Sequence, residues 1–158
     1  MVNTFYEDLE KAKAAEVLVC NILSSLDSSR KYELVGAERA YFYRGDIKAT
    51  DKQGNEIFIE VKDDSRIADT GNVLCEEEVY YKQHDYYGKG NMQSNYDIYA
   101  VVSKQRREIY IISFERLKQI YRKGEYKEIK HPQQITYCYL LNLATIKKLG
   151  GLITTLKY

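Results

Sequence analysis

The chain has 158 residues, of which 44% are hydrophobic and 30% charged, the composition of an ordinary globular domain rather than a disordered one. Its 24 Lys and Arg against 23 Asp and Glu leave a formal charge of +1, so any attraction to phosphate has to come from local patches. No stretch is apolar enough to span a membrane, and the acidic N-terminal segment lacks the pattern of a signal peptide.

Three scattered cysteines, Cys20, Cys75 and Cys138, form neither a disulfide framework nor a zinc motif, and His84 and His131 are isolated. A cytoplasmic protein with reduced thiols and no membrane partner is expected. Any metal would have to be held by carboxylates, which favours Mg²⁺ or Mn²⁺. No repeat, low-complexity run or linker is present, so residues 1–158 are expected to form a single domain.

The first segment, about Thr4 to Leu26, reads as a helix. Its apolar stripe runs Phe5, Leu9, Ala12, Val19, Leu23 and Leu26, in steps of four and three, with Glu16 in the middle. A serine-rich loop follows. Strand patterns then occupy 32–36, 41–50 and 55–64, with a short candidate over 72–81. Segments 96–103 and 107–113 read as a hairpin turning at 104–107, and Ser113 is placed to cap a short helix over 114–121. A strand over 136–141 and a short helix ending at Gly150 and Gly151 complete the chain. The order predicts an α/β or mixed α+β fold. The run Gly88-Lys89-Gly90-Asn91 lacks the glycine spacing and Ser/Thr of a phosphate-binding loop and reads as a flexible connection.

Charge is segregated along the chain. From Glu60 to Glu78 seven acids face two basic residues, whereas from Lys104 to Lys130 nine basic residues face four acids.

The hairpin over 41–62 carries the chemistry. Lys52-Gln53-Gly54 fits a three-residue loop with glycine at its left-handed position. That loop sets Ala49 opposite Ile57 and Ile47 opposite Ile59, so one face is apolar. On the other face Lys48 meets Phe58, Asp46 meets Glu60 and Arg44 meets Lys62. Carboxylates opposed across a ladder have Cβ atoms about 5 Å apart and repel each other, and a divalent cation would remove that repulsion. The same face also reads as a solvated surface in which Arg44, Lys48 and Lys62 neutralise the acids. Glu16, set within an apolar stripe, either swings to its edge or meets a cation.

These residues resemble the PD-(D/E)XK nucleases, in the branch that is similar to Holliday-junction resolvases and restriction endonucleases. The resemblance rests on Glu16, on Asp46 within Arg44-Gly45-Asp46-Ile47, and on the triplet Glu60-Val61-Lys62. It extends over roughly Glu7 to Val102, through the Thr70-Gly71-Asn72 turn before Glu76 and Asp97 before an aliphatic strand. The triplet pattern occurs four times in the chain, but only Glu60-Val61-Lys62 follows an apolar strand and faces another acid. Gly45 stands where the family often has proline.

The resemblance implies a restriction-endonuclease-like core, with a small mixed central sheet flanked by helices. It implies a Mg²⁺- or Mn²⁺-dependent endonuclease, a hydrolase acting on DNA, of the junction-resolving or restriction type. Asp46, Glu60 and Lys62 would be catalytic. The metal would be bound by Asp46, Glu60 and the Val61 carbonyl, with Glu16, while Lys62 positions or activates water. Whether Glu16 and Glu76 join the site is left open.

The basic segments at 104–107 and 116–130, with Lys82, Lys89 and the tyrosines of 80–87, are expected to meet the DNA backbone. Cutting a four-way junction would call for a homodimer with two sites. The alternative is a non-catalytic nucleic-acid-binding or protein-interaction module on the same scaffold.

Overall fold

The structure is a computed structural model that describes the backbone of residues 4 and 5 and all of residues 6–36 and 44–158. The predicted strand over 41–50 therefore begins outside the described residues, as does the Phe5 side chain.

Helix α1 (Thr4–Leu26) is followed by β1 (Arg30–Leu34), β2 (Ile47–Asp51), β3 (Glu56–Asp63), a single turn α2 (Ile67–Thr70), β4 (Asn72–Tyr81) and β5 (Tyr86–Lys89). The chain continues through β6 (Ile98–Ser103), β7 (Glu108–Ser113), α3 (Phe114–Ile120), β8 (Glu125–Lys130), β9 (Gln134–Asn142), α4 (Leu143–Lys148) and β10 (Leu152–Lys157). The fold is mixed α+β. No described helix is long and apolar enough to cross a membrane.

The strands form a six-stranded sheet in the order β1-β2-β3-β6-β7-β10 and a four-stranded sheet in the order β5-β4-β9-β8. Strands β3 and β6 run parallel, and the other pairs are antiparallel. Alternation along the central strands builds two cores. Ala100, Val102, Ile109 and Ile111 face α1 and pack with its Ala15, Val19 and Cys20. Tyr99, Val101, Tyr110 and Ile112 face the other way and pack with Val73, Cys75 and Leu141 of the second sheet and with Phe114 and Leu117 of α3.

Helices therefore do not flank both faces alike. One face is covered by α1, and the other by a second sheet with two short helices. Strands β4 and β9 supply the apolar residues that a long helix would otherwise provide.

The hairpin has the register read from the sequence, with Ile47 opposite Ile59, Lys48 opposite Phe58 and Ala49 opposite Ile57. Gly54 adopts φ +86°, and Asp51 accepts from the backbone N–H groups of Gln53 and Asn55. Ser113 caps α3 by accepting from the Arg116 N–H. The segment from Gly88 to Asn91 departs from expectation: it is the end of β5 and a packed turn rather than an open connection. A Cβ on Gly90 would overlap the Glu76 carbonyl, and Asn91 is buried between β4 and β6.

Candidate active site

Strand β3 is longer than its neighbour β2, and this mismatch makes the site. Among the described residues, the strand beyond Ile59 pairs only with β6, Glu60 lying beside Tyr99 and Lys62 beside Val101. Among those residues the edge toward β2 is left open, and the Asp46 carboxylate closes part of it by accepting the Val61 N–H through Oδ2 at 2.8 Å. A strand residue projects its N–H and C=O to the same side, so the Val61 carbonyl points toward that open edge too. Asp46 is itself fixed by its own N–H, donated to the Ile59 carbonyl at 2.9 Å, and by its carbonyl, which accepts from Val35.

Gly45 makes the close approach workable. Its φ is +124°, and a Cβ there would stand 2.9 Å from the Ile59 carbonyl oxygen. Glycine is thus the residue this backbone requires before Asp46.

The pleat places Glu60 and Lys62 on one face of β3, and the Lys62 ammonium lies 3.1 Å from Glu60 Oε1. Glu16 reaches the same place from α1, at the edge of its buried Ala15–Val19 face. It is half-buried, and its carboxyl is pushed up to about 7 by burial, then by the charge of Asp46 and a hydrogen bond to it. The Glu60 carboxyl is also raised, chiefly by burial and by Asp46, against the pull of Lys62. Burial works against the Lys62 ammonium, yet Glu60, Glu76 and Asp46 together hold its pKa above the ordinary lysine value. Four carboxylates, Glu16, Asp46, Glu60 and Glu76, thus act on one ammonium, and all but Glu76 line a cleft of about 400 Å³ with Asp8, Lys11 and Ser65.

The chemistry of this donor set suits a hard divalent cation: carboxylate oxygens, a backbone carbonyl, and an excess of negative charge. Among the described residues no three His, Cys, Asp or Glu side chains are already arranged to hold a metal ion. As placed, Glu16 and Glu60 bond to Asp46, and Glu60 to Lys62, so holding a cation would exchange some of these contacts for it.

Other sequence candidates fall elsewhere. Asp97 accepts the Phe58 N–H at 2.8 Å and ties β3 to the start of β6. Arg44 lies over the Phe58 ring, outside the ladder that was to pair it with Lys62. Much of the basic segment braces the fold. Lys104 pairs with Asp63 at 2.7 Å, Arg116 donates to the Leu149 carbonyl, and Arg122 pairs with Glu77. Lys82 donates to the His131 carbonyl. The tyrosines of 80–87 pair across the β4–β5 hairpin, Tyr80 with Tyr87 and Tyr81 with Tyr86.

Sequence reasoning missed Asp8 and Lys11, although Asp8, Ala12 and Glu16 recur every four residues and so share a helix face. It also missed Tyr96, whose phenol is raised first by burial and then by the charge of Glu60. Only the tertiary approach of the β5–β6 connection could reveal that neighbour.

No protein-family model matches the chain, and neither the curated proteins nor the solved structures searched contain a match.

Proposed function

We propose that the chain is a metal-dependent endonuclease that hydrolyses phosphodiester bonds in DNA. The observation that carries this reading is the convergence of Glu16, Asp46 and Glu60 on the open edge of β3, with Lys62 beside them at the wall of a cleft. The order of α1, the antiparallel β1–β2–β3 and the parallel β6 supports a restriction-endonuclease-like core. A cytoplasmic location accords with three free, buried cysteines.

Mg²⁺ or Mn²⁺ would be held by Asp46, Glu60 and the Val61 carbonyl, with Glu16 nearby. Such a cation, when bound, polarises the phosphate and lowers the pKa of water. The chain's own groups do the rest. Lys62, beside these acids, orients the attacking water and stabilises charge developing on the phosphate oxygens. The Val61 N–H anchors Asp46, so its carboxylate does not have to be reoriented during the reaction. Lys11, on the α1 wall of the cleft, is placed to meet a neighbouring phosphate.

Cleavage of supercoiled plasmid and of a labelled four-way junction in Mg²⁺ and Mn²⁺ tests the reading, with Lys62→Ala alongside. Wild-type protein should cut, and the variant should fold but cut at least ~100-fold more slowly. A Lys62→Ala protein that cuts at the wild-type rate overturns the assignment. Binding without cutting by wild type would favour a non-catalytic nucleic-acid-binding module. Preference for the junction would call for a homodimer.

A further inference from the structure

A second cleft, of about 580 Å³, lies on the face of β3 that carries Lys62, against the β3–α2 turn and the second sheet. This is the size range of small-ligand pockets, ~300–1,000 Å³. Lys62, Asp63 and Ser65 line both clefts, so the two are neighbours that share this wall.

The character of the second cleft differs from that of the first. Val73, Val101, Ile129 and Leu140 make its walls largely apolar. Its inner polar groups bond to one another: Asn91 donates to the Tyr99 hydroxyl at 2.8 Å and accepts from the Glu76 N–H at 2.9 Å. Lys62, Arg66 and Lys127 are outnumbered by the carboxylates of Asp63, Asp64, Glu76 and Glu128. A phosphate would meet net repulsion there. A flat, neutral, largely apolar ring would not.

We propose that this cleft receives a nucleobase of the strand being cut, unstacked beside the phosphate that occupies the carboxylate cleft. The proposal rests on the nuclease reading and names the substrate feature that reading leaves open. Unstacking costs least for a base that is already unpaired. The preferred substrates therefore carry single-stranded or mismatched positions next to the cut. Because Asn91 and Tyr99 are committed to each other, the cleft reads shape and apolar contact rather than base identity.

The test uses labelled single-stranded oligonucleotides in which one abasic position is moved along the strand. Affinity is measured by fluorescence anisotropy in Ca²⁺, and cutting of the same strands in Mg²⁺. One register, adjacent to the cut bond, should lose about tenfold in affinity when its base is removed, the scale of a few tens of Å² of apolar contact. Ile129→Trp from β8 and Thr70→Trp from α2 fill the cleft from separate elements, and their folding is checked by thermal melting. Each should lose about tenfold on the intact strand and bind the abasic strand as wild type does. Cutting with no abasic register that weakens binding overturns the base pocket and leaves the nuclease standing. Neither binding nor cutting of any strand overturns the base pocket, and the nuclease reading falls with it only if plasmid and junction also stay intact.

Discussion

Replacing Glu16 with Gln should stabilise the folded protein at alkaline pH and change little at acid pH. Burial and the charge of Asp46 raise the Glu16 carboxyl from 4.5 to about 7 in the folded chain. Between those values the folded state binds more protons than the unfolded state. Stability from this group is therefore complete below about pH 4.5, falls as pH rises through the window, and is lost above about pH 7. At ~1.4 kcal/mol per pKa unit the gap sets a ceiling of about 3 kcal/mol. Glu16 is only half-buried, and solvent screening reduces that to about 1–2 kcal/mol.

Gln cannot ionise and so escapes the penalty. At pH 8, with chelator present, Glu16→Gln should melt about 3–6 °C above wild type. At pH 4.5 the two curves should nearly coincide. Mn²⁺ at pH 8 should narrow the gap, because a cation bound by the folded acids stabilises wild type more. Melts at pH 4.5, 6 and 8 decide the matter. Equal stability at pH 8, or the same gain at every pH, would refute the claim that crowding by Asp46 and burial penalises the ionised Glu16.

Gly90→Ala should cost ~3 kcal/mol or more in a denaturant melt, because its Cβ would overlap the Glu76 carbonyl and backbone cannot rotate away; a loss under ~1 kcal/mol would contradict this packing. Tyr99→Phe should cost about 1–3 kcal/mol, since it leaves the buried Asn91 amide without its acceptor. Unchanged stability there would mean that another group satisfies the amide. Hydrogen bonds from Ser29 and Tyr32 hold the Asp27 carboxyl down at about 2, so its contribution is present above about pH 4 and lost as pH falls toward 2. The stability difference between wild type and Asp27→Asn should shrink over that range, and a constant difference would show that Asp27 does not act through its charge.

The hairpin is legible in the sequence because every determinant of it is local. Gly54 supplies the left-handed residue, the loop length sets the register, and the register decides which side chains share a face. Glu60 and Lys62 follow from that chain of steps, whereas Asp46 lies one residue beyond the paired ladder and, instead of standing opposite Glu60 in it, bonds the Ile59 carbonyl and the Val61 N–H. The helix is legible as an element, but its buried face is not. Leu9 and Leu26 lie exposed at 42% and 64%, while Ala15, Val19 and Cys20 are buried. Periodicity finds a helix, but where the helix touches the sheet depends on the angle at which it crosses.

The second sheet is the larger omission. β5 and β8 are largely exposed and carry little hydrophobic alternation, so neither shows a strong strand pattern. Their pairing comes from β4 and β9, which meet over seventy residues of separation, as Asn72 and Asn142 do. The second cleft exists only because that sheet folds over Lys62.

From the sequence alone came the helix, the hairpin register and the residues that share a face, since each depends on contacts a few residues apart. Tertiary structure decided the rest: the overhang of β3 past β2, the approach of Glu16 to Asp46, and the meeting of two clefts at Lys62. Those features are set by packing between distant segments, whose closure is determined by the whole core rather than by any local pattern.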